Sequence, residues 1–357
     1  MHKKILVINP GSTTTKIAVF DNNKSLFLKN IQHNPEDIEK FDRIADQFDF
    51  RKTIIMEELN MANIDFHKIN IVVGRGGLLK PMTGGVYRVN EAMIRDIKNP
   101  MAEHASNLGG YIAREIADLI GNGVEAYIAD PTCVDELEDV ARISGLPQIP
   151  RKSMLHALNQ KAVARRFASE TGSKYEELNF IVAHLGGGIT VGAHQKGKII
   201  DTNNGLDGDG PFSPERAGGL PAGQLVEMCF SGKYTKAEIK KLLTGHGGVM
   251  AYLGTSSAIE VEHRIENGDE QAKLIYSAMA YQVAKEIGAM STVLKGEVDV
   301  IILTGGVAYD KNFVDMIIER VKHLGIVRVY PGEDEMRALA MNGLLVLKGE
   351  IQAKEYY

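Results

Sequence analysis

A short polar turn near the N-terminus has the residue types needed to bind an anion. It lies between apolar runs at 5–8 and 17–20 and reads Asn-Pro-Gly-Ser-Thr-Thr-Thr-Lys from Asn9 to Lys16. The two runs are typical of strands, and a Pro-Gly pair after a strand predicts a tight turn. Backbone N–H groups in such a turn carry partial positive charge that suits phosphate oxygens. The alternative interpretation is an ordinary β-hairpin with a polar tip.

Two arginines lie among glycines, where little side-chain bulk would separate them from a ligand. Arg75 follows an apolar run at 69–73 and lies within Gly-Arg-Gly-Gly, whereas Arg216 is the one arginine of a glycine- and proline-rich loop at 201–223. A loop of that length in a compact chain is more often functional than idle. Guanidinium groups carry permanent charge and bind carboxylates and phosphates bidentately, so both arginines are candidates for binding an anionic substrate.

A histidine and an aspartate are further candidates. A helix predicted at 102–119 contains His104 and Asn107 at i, i+3 spacing, which would place them on one face. Asp130 follows a short apolar run at 126–129, and open α/β sheets place their chemistry at the carboxyl ends of strands. A helix N-cap or a turn former is the alternative interpretation of Asp130.

The segment 180–198 repeats the design of the first hairpin. It has an apolar strand, one polar residue, a glycine-rich turn and a second strand. Superimposing the two segments places His184 on Asn9 and Gly186 on Gly11, at a distance of about half the chain. Two such hairpins predict a duplicated domain in which each half begins with a turn that can approach phosphate.

The segments between these motifs show helix and strand patterns. The charged segment 35–63 has apolar residues at helical spacing and predicts a surface helix. A long helix is predicted at 269–293, a buried strand at 298–303 that leads into Thr-Gly-Gly-Val, and a final helix at 336–347. We interpret the histidines at 156 and 194 as structural and the one at 246 as part of a surface turn.

Composition indicates an ordinary globular protein and argues against several classes of partner. The 357 residues are 44% hydrophobic and 24% charged, which suggests two domains. A net charge of −5 does not favour nucleic acid or an anionic membrane surface. No apolar run approaches the roughly 18 residues that span a bilayer or the roughly 7 of a signal-peptide core. Two cysteines without metal-ligand spacing predict a reducing, cytoplasmic location.

Motifs along essentially the whole chain resemble the acetokinase family of carboxylate kinases, which belongs to the larger group of duplicated folds that includes actin and sugar kinases. The resemblance rests on the hydroxyl-rich turn at 9–16, on HLGGG at 184–188 and on LTGGV at 303–307. Other segments are similar to the branch of the family that acts on butyrate and branched-chain fatty acids: GRGGLLKPMTGGVY, ERAGGLPAGQL, AYLGT, MAYQVAKEIGAM and YPGEDEMRALA.

The resemblance implies reversible transfer of the γ-phosphoryl group of ATP to a short aliphatic carboxylate, with ADP and an acyl phosphate as products. The transition state spreads negative charge over phosphoryl oxygens, so positioning and charge neutralisation supply most of the catalysis. The attacking carboxylate is already ionised at neutral pH and needs no general base. If the small Ala183 borders the acyl group, it favours butyrate or isobutyrate. Acetate or propionate is the alternative, because one methylene is worth only about 1–3 kcal/mol.

The resemblance also assigns roles to individual residues. The catalytic residues would be Arg75, His104, Asp130, His184 and Arg216. The phosphate- and nucleotide-binding residues would be Asn9, Ser12, Thr14, Lys16, Gly186, Gly187, Gly188, Gly305, Gly306 and Val307. Mg²⁺ would bridge the phosphates and keep several waters. The residues on the metal side would be Asn9 with Glu333 or Glu335, which are rivals because their spacing from the preceding proline differs by one residue from the usual family pattern.

The implied fold is α/β, with two duplicated actin- or sugar-kinase-like (ribonuclease H-like) domains whose mixed sheets are flanked by helices. We expect an N-terminal domain at 1–150, completed by a C-terminal helix at 336–357, and a nucleotide-binding domain at 151–335. ATP would bind in a cleft between them, which closes on ligand binding to exclude water. The resemblance implies a homodimer or a higher assembly of dimers. A non-catalytic nucleotide-binding protein of the same fold is the alternative from another class, and the presence of Arg216 and His184 argues against it.

Overall fold

The computed structural model describes residues 2–100 and 103–357, which form two compact units. The first unit comprises Met1–Val134 and Asp334–Tyr357, and the second comprises Asp135–Glu333. These limits differ from the predicted domain boundaries, which stay a prediction because units defined by spatial contact need not coincide with the segments that were duplicated.

The described residues form strands and α-helices that follow one another in groups along the chain. The strands are β1 (Lys4–Pro10), β2 (Thr14–Asp21), β3 (Lys24–Gln32), β4 (Ile69–Arg75), β5 (Val86–Arg88), β6 (Glu125–Ala129), β7 (Asn179–Leu185), β8 (Ile189–Gln195), β9 (Lys198–Thr202), β10 (Val300–Gly305) and β11 (Ile326–Pro331). The helices are α1 (Pro35–Ile38), α2 (Phe48–Met61), α3 (Glu91–Lys98), α4 (Asn107–Ile120), α5 (Asp139–Arg142), α6 (Ala157–Glu170), α7 (Ala222–Phe230), α8 (Lys236–Leu243), α9 (Gly248–Leu253), α10 (Ala258–Glu266), α11 (Glu270–Val293), α12 (Lys311–Val321) and α13 (Glu335–Leu347).

The two units contain sheets of the same design. The first sheet has the order β3-β2-β1-β4-β6-β5, and the second has the order β9-β8-β7-β10-β11. In both, the leading strand pairs antiparallel with the strand that follows it and parallel with the next strand on its other side. The prediction of an α/β fold with two duplicated mixed sheets is confirmed.

The first sheet is covered by α4 and α13, whose apolar residues recur at helical spacing. Leu108, Ile112 and Ile116 of α4 are buried in the core of the first unit. Helix α13 packs closely on β1 and β4. A Cβ at Gly343 would lie only 2.7 Å from a methyl group of Val73, so a larger side chain would not fit there without a shift. This close packing brings the start of α13 to the sheet and so positions Glu335, the helix's first residue.

The core of the second unit is built around α11, the longest helix of the described residues. Asp269 caps its N-terminus by accepting a hydrogen bond from the N–H of Ala272 at 2.9 Å. Met279, Val283 and Ile287 then pack in the same buried cluster as the inner residues of the second sheet. No helix in the described ranges is both long enough and apolar enough to cross a membrane.

Two of the expected helices differ from the observed ones. The helix predicted at 102–119 begins at Asn107, so His104 precedes it, and Ala102 lies outside the described residues. The prediction of a single surface helix at 35–63 is also wrong, since the segment forms α1, a 3₁₀ turn and α2. Helix α2 carries an arginine, Arg51, that is fully buried. The charged composition of the segment predicted that its residues are exposed. Arg51 is buried instead, because polar groups accept its hydrogen bonds in the interior.

Candidate active site

Three parallel strands of the first sheet end at one edge, and each brings a predicted site residue there. Asn9 is the penultimate residue of β1, Arg75 is the last of β4, and Asp130 directly follows β6. The strands are neighbours in the order β1-β4-β6 and run parallel. Their polar residues therefore converge through the topology of the sheet itself.

Glu335 contacts two of these residues. Its Oε2 accepts a hydrogen bond from Asn9 Nδ2 at 2.7 Å, and its Oε1 lies 3.3 Å from Arg75 Nη2. The Arg75 side chain is buried, while that of Glu335 is 24% exposed. One carboxylate thus orients an amide and a guanidinium and still reaches solvent.

Asp130 is fully buried in a strained backbone conformation. Its φ of +37° lies in the left-handed region, which residues other than glycine seldom adopt. Its Oδ1 accepts a hydrogen bond from the N–H of Gly85 at 2.7 Å, and its own N–H donates to the Gly85 oxygen at 3.0 Å. Arg75 Nη1 lies 3.5 Å from the Asp130 backbone oxygen. These contacts anchor the segment around Gly85 beside Arg75, and a direct catalytic role for the carboxylate stays a prediction.

His104 has a defined tautomer. Its Nδ1 accepts a hydrogen bond from the N–H of Ser106 at 3.2 Å and lies 2.6 Å from the Ser106 hydroxyl. Burial, followed by the charge of Arg75, lowers the pKa of His104. The ring is therefore neutral at pH 7 and carries its proton on Nε2, where it can donate a hydrogen bond.

The first turn presents mostly exposed polar side chains. Ser12 and Lys16 are exposed and Thr14 is half-buried. The N–H of Gly11 donates to the oxygen of Thr14 at 2.8 Å and closes the turn. Binding of phosphate by this turn stays a prediction.

In the second unit, a buried histidine, His184, is the penultimate residue of β7 and lies just before the glycine turn. His184 Nδ1 lies 2.8 Å from Asn159 Oδ1, which can only accept, so Nδ1 carries a proton. Its Nε2 lies 2.9 Å from Glu333 Oε1 but outside hydrogen-bond geometry. The turn itself is closed by the N–H of Gly186, which donates to the oxygen of Gly188 at 3.2 Å.

A second histidine stacks on the first. The rings of His156 and His184 are 3.8 Å apart and inclined by 12°. His156 Nδ1 lies 3.0 Å from the hydroxyl of Thr190, the residue that pairs with His184 across the hairpin. His156 therefore covers one face of the predicted catalytic ring, and the interpretation of His156 as structural stays a prediction.

Arg216 reaches the second turn from its long loop. Its Nη1 donates to the oxygen of Gly205, and the guanidinium occupies the space that a side chain at Gly188 would fill. Ser213 accepts a hydrogen bond from the N–H of Arg216 at 3.1 Å and donates to the oxygen of Gly187 at 2.5 Å. Burial lowers the pKa of Arg216, yet a guanidinium stays charged at neutral pH. Arg216 is therefore held directly against the glycine turn.

The residues predicted to border adenosine lie at the end of β10 and directly after it. Gly305 has a φ of +92° and exchanges hydrogen bonds with Gly332, at 2.8 and 3.2 Å. A Cβ at Gly305 would overlap the backbone of Leu185, so only glycine fits there. Gly306 opens a 3₁₀ turn, and Val307 is buried in the core of the second unit.

Comparison with known proteins identifies the family. A family model described as the acetokinase family matches residues 148–341. Butyrate kinase 2 of Clostridium acetobutylicum is 56% identical over 357 residues, which cover 100% of both chains. The chain belongs to the acetokinase family.

Solved structures of other members share the fold. Acetate kinase from Porphyromonas gingivalis superimposes with a TM-score of 0.79 at 19% identity, over 97% of this chain and 100% of that chain. A propionate kinase from Francisella tularensis gives a TM-score of 0.75 at 20% identity, over 95% of this chain and 98% of that one. As a member of the acetokinase family, the chain is a carboxylate kinase, that is, a phosphotransferase that uses ATP and ADP.

The two acidic rivals of the acetokinase motif separate in the structure. Glu335 belongs to the first unit and contacts Asn9, whereas Glu333 belongs to the second and lies beside His184. Within the described ranges, no group of three or more His, Cys, Asp or Glu side chains is arranged to hold a metal ion. Magnesium sites for phosphoryl transfer use one or two carboxylates and complete their shell with phosphates and water. An amide and a carboxylate in contact, as in Asn9 and Glu335, fit that donor set.

Ala183 does not lie where it could border an acyl group. Ala183 is fully buried in the hydrophobic core of the second unit, together with Ile181 and Leu185. Alternate residues of a strand face the same side, so Ala183 faces the core and His184 faces the opposite side of the sheet. The size of Ala183 therefore gives no information on the acyl group that this member of the acetokinase family accepts.

Sequence reasoning missed His156 and Asn159, which flank the predicted catalytic histidine. Both lie at the start of α6 at i, i+3 spacing. A histidine and an asparagine at that spacing, before an otherwise charged and apolar helix, were the available signal. Neither indicated by itself which strand the helix would cover.

Proposed function

We propose that this carboxylate kinase transfers the γ-phosphoryl group of ATP to butyrate or isobutyrate, giving ADP and the acyl phosphate, and that it catalyses the reverse reaction. The observation that carries the choice of substrate is the 56% identity to Butyrate kinase 2 over the full length of both chains. The motifs that resemble the butyrate branch point to the same substrate.

In the first unit we assign charge neutralisation to Arg75 and phosphate binding to the turn at 9–16. Arg75 is buried and held by Glu335, so its guanidinium is oriented before a ligand arrives. Such preorganisation lowers the cost of binding an anion. The exposed hydroxyl of Ser12 and the exposed ammonium group of Lys16 are free to turn toward phosphate oxygens.

In the second unit we assign stabilisation of the transferring phosphoryl group to His184 and Arg216. Because Nδ1 of His184 donates to Asn159, the Nε2 atom is the one that can serve a ligand, and it donates when the ring is protonated. The stacked His156 holds the ring plane. Arg216 supplies permanent positive charge beside the glycine turn. Asn9 and Glu335 would hold Mg²⁺, which neutralises charge on the phosphates when bound.

A hydroxamate assay tests the substrate. The protein is incubated with MgATP, hydroxylamine and straight or branched carboxylates of two to six carbons, and the trapped acyl phosphate is measured. Butyrate or isobutyrate should exceed acetate in kcat/KM by about tenfold or more, since one methylene in an apolar pocket is worth about 1–3 kcal/mol. A preference for acetate or propionate would mean that one of those acids is the substrate. If none of the acids gives a product, the kinase activity itself is refuted.

We further propose a cytoplasmic homodimer. Cys133 and Cys229 are both free thiols, which suits a reducing compartment.

Helix α7 has the sequence AGQLVEMCF, yet none of its residues is buried, and Phe230 is 88% exposed. An apolar helix on a surface is typical of an interface between subunits. Light scattering after size-exclusion chromatography should give twice the mass of one chain. The Phe230→Glu variant should give a mass closer to that of a single chain.

A further inference from the structure

Arg51 of α2 lies directly beneath the first turn and is fully buried. Its Nη1 donates hydrogen bonds to the oxygens of Gly11 and Thr14, at 2.9 and 3.0 Å, and to the Thr15 hydroxyl at 3.0 Å. Its Nη2 donates to the oxygen of Ser12 at 3.0 Å. One guanidinium therefore holds three backbone carbonyls and one side chain of the turn.

The remaining donors of Arg51 go to a neutral partner. Gln47 Oε1 accepts from Nε at 3.0 Å and from Nη2 at 2.9 Å. Burial lowers the pKa of Arg51 to about 10, so the group is still charged at neutral pH. Among the described residues, no carboxylate contacts this guanidinium. A buried charge without a counter-ion is costly, which raises the question of what balances it.

The peptide geometry of the turn indicates where that counter-ion lies. In a trans peptide the N–H group points opposite to the carbonyl of the preceding residue. Since the carbonyls of Gly11 and Ser12 point toward Arg51, the N–H groups of Ser12 and Thr13 point away from it. Ser12 and Thr13 are exposed, so these donors face the open side of the turn.

We propose that Arg51 is a positioning residue for phosphate binding, and that the anion bound on the open side of the turn is its counter-ion. The guanidinium fixes the direction of the N–H groups and adds its own positive charge from below. Gln47 completes its hydrogen bonds without cancelling that charge. The inference rests on the proposed function of the turn at 9–16 as a phosphate site.

Substitutions at both residues separate charge from geometry. Arg51→Met removes both, and Arg51→Lys keeps the charge but loses most of the donors. Gln47→Glu keeps both acceptor contacts and cancels the charge. The matched control is Arg114→Met, which changes a half-exposed arginine of α4 in the same unit that donates to Asp118.

In steady-state kinetics, the variants of Arg51 and Gln47 should change the KM for ATP and leave the KM for the carboxylate unchanged. We expect Arg51→Met to raise the KM for ATP by about tenfold or more, the size of one lost charge-assisted interaction. Gln47→Glu should raise it as well, with an unchanged KM for the carboxylate and an unchanged or higher melting temperature. Arg51→Lys should fall between the wild type and Arg51→Met, and Arg114→Met should match the wild type.

Amide hydrogen exchange supplies a readout that a general loss of stability would not produce. Arg51→Met and Arg51→Lys should speed exchange in peptides that cover 9–16, while peptides that cover 184–190 in the second unit keep their wild-type rates. Should Arg51→Met fail to fold, Gln47→Glu and Arg51→Lys still decide the question. A wild-type KM for ATP in both of these variants would overturn the role of Arg51. A wild-type protein that forms no acyl phosphate would instead refute the proposed function itself.

Discussion

The turns after β1 and β7 occupy the same place in two sheets that share the order of five strands, but they are supported in different ways. Asn9 pairs with Lys16 across the first hairpin, and His184 pairs with Thr190 across the second, which is one residue shorter. The sequence superposition that places His184 on Asn9 is thus in register on the leading strands and slips by one residue after the turn.

The polar groups around the two turns differ more than their backbones do. The first turn packs on a buried cation, Arg51, that donates hydrogen bonds to three of its backbone carbonyls. The second follows a buried imidazole at the end of β7, His184, that is stacked on another ring and hydrogen-bonded to a neutral carboxamide. The two halves thus share the backbone of the hairpin but differ in the polar side chains that support it. The first turn has a buried guanidinium next to it, and the second has an imidazole whose hydrogen-bonding atoms are held in place.

Removing the arginine of the second turn should have the largest effect. Arg216→Ala is expected to lower kcat by about a thousandfold or more, because an arginine that neutralises charge in phosphoryl transfer is commonly worth that much. The variant should keep its fold, since the side chain bonds one backbone oxygen near the turn and lies outside the core. The measurement is turnover in the hydroxamate assay with circular dichroism as a check of folding.

A surface arginine of the same unit provides the control for that experiment. Arg328 is exposed on β11 and donates only to the oxygen of its neighbour, Val327, at 3.1 Å among the described contacts. Arg328→Ala should be as active as the wild type. Near-normal turnover in folded Arg216→Ala would remove Arg216 from the site and leave the first unit to supply the charge.

A carboxylate substitution in the first unit should have a smaller effect. Glu335→Gln keeps an acceptor for Asn9 but loses the charge that faces Arg75. We expect kcat/KM to fall by about 10- to 100-fold and the Mg²⁺ concentration for half-maximal activity to rise. The measurement is a magnesium titration at fixed ATP.

The same titration of Glu333→Gln decides between the two acidic rivals. Glu333 lies beside His184, so its substitution should change turnover without moving the magnesium dependence. If the magnesium dependence changes in Glu333→Gln and stays unchanged in Glu335→Gln, Glu333 is the metal-side carboxylate and Glu335 is not.

Local patterns predicted the frame of the molecule, whereas contacts between distant segments escaped prediction. Both hairpins, the strand that ends at Arg75 and the helix at 270–293 follow from apolar periodicity and turn residues, which act over a few positions. The buried position of Arg51 could not be predicted in this way. A charged residue on a polar segment is normally exposed, and its acceptors lie about 40 residues away in sequence.

The acidic pair shows a second reason why sequence left alternatives open. Glu333 and Glu335 are two residues apart, and no pattern indicates which strand either would face. The start of α13 separates them in the structure, because Asp334 caps the helix and Glu335 becomes its first residue. His156 escaped prediction for a similar reason, since its partner ring lies 28 residues further along the chain, on β7.

Each unit also contains a buried neutral histidine, which predicts a loss of stability in acid. His33 lies 2.8 Å from the Thr15 hydroxyl, and burial, followed by the charge of Arg51, lowers its pKa. His194 bonds Tyr175 and Gln160, and burial, followed by Lys161 and Arg165, lowers its pKa strongly. A histidine with a lowered folded pKa binds its proton preferentially in the unfolded chain.

The free energy of unfolding should therefore fall as the pH drops below the unfolded value near 6.5, by up to about 1.4 kcal/mol per pH unit for each histidine that stays neutral. Glu286 opposes this trend, because burial raises its pKa to about 7 and the folded state binds its proton first. Urea denaturation between pH 5.5 and 7.5 measures the slope. It should steepen in Glu286→Gln and flatten in His194→Gln, while the exposed His323→Gln leaves it unchanged. An unchanged slope in His194→Gln would mean that His194 takes up a proton in the folded state, contrary to its contacts.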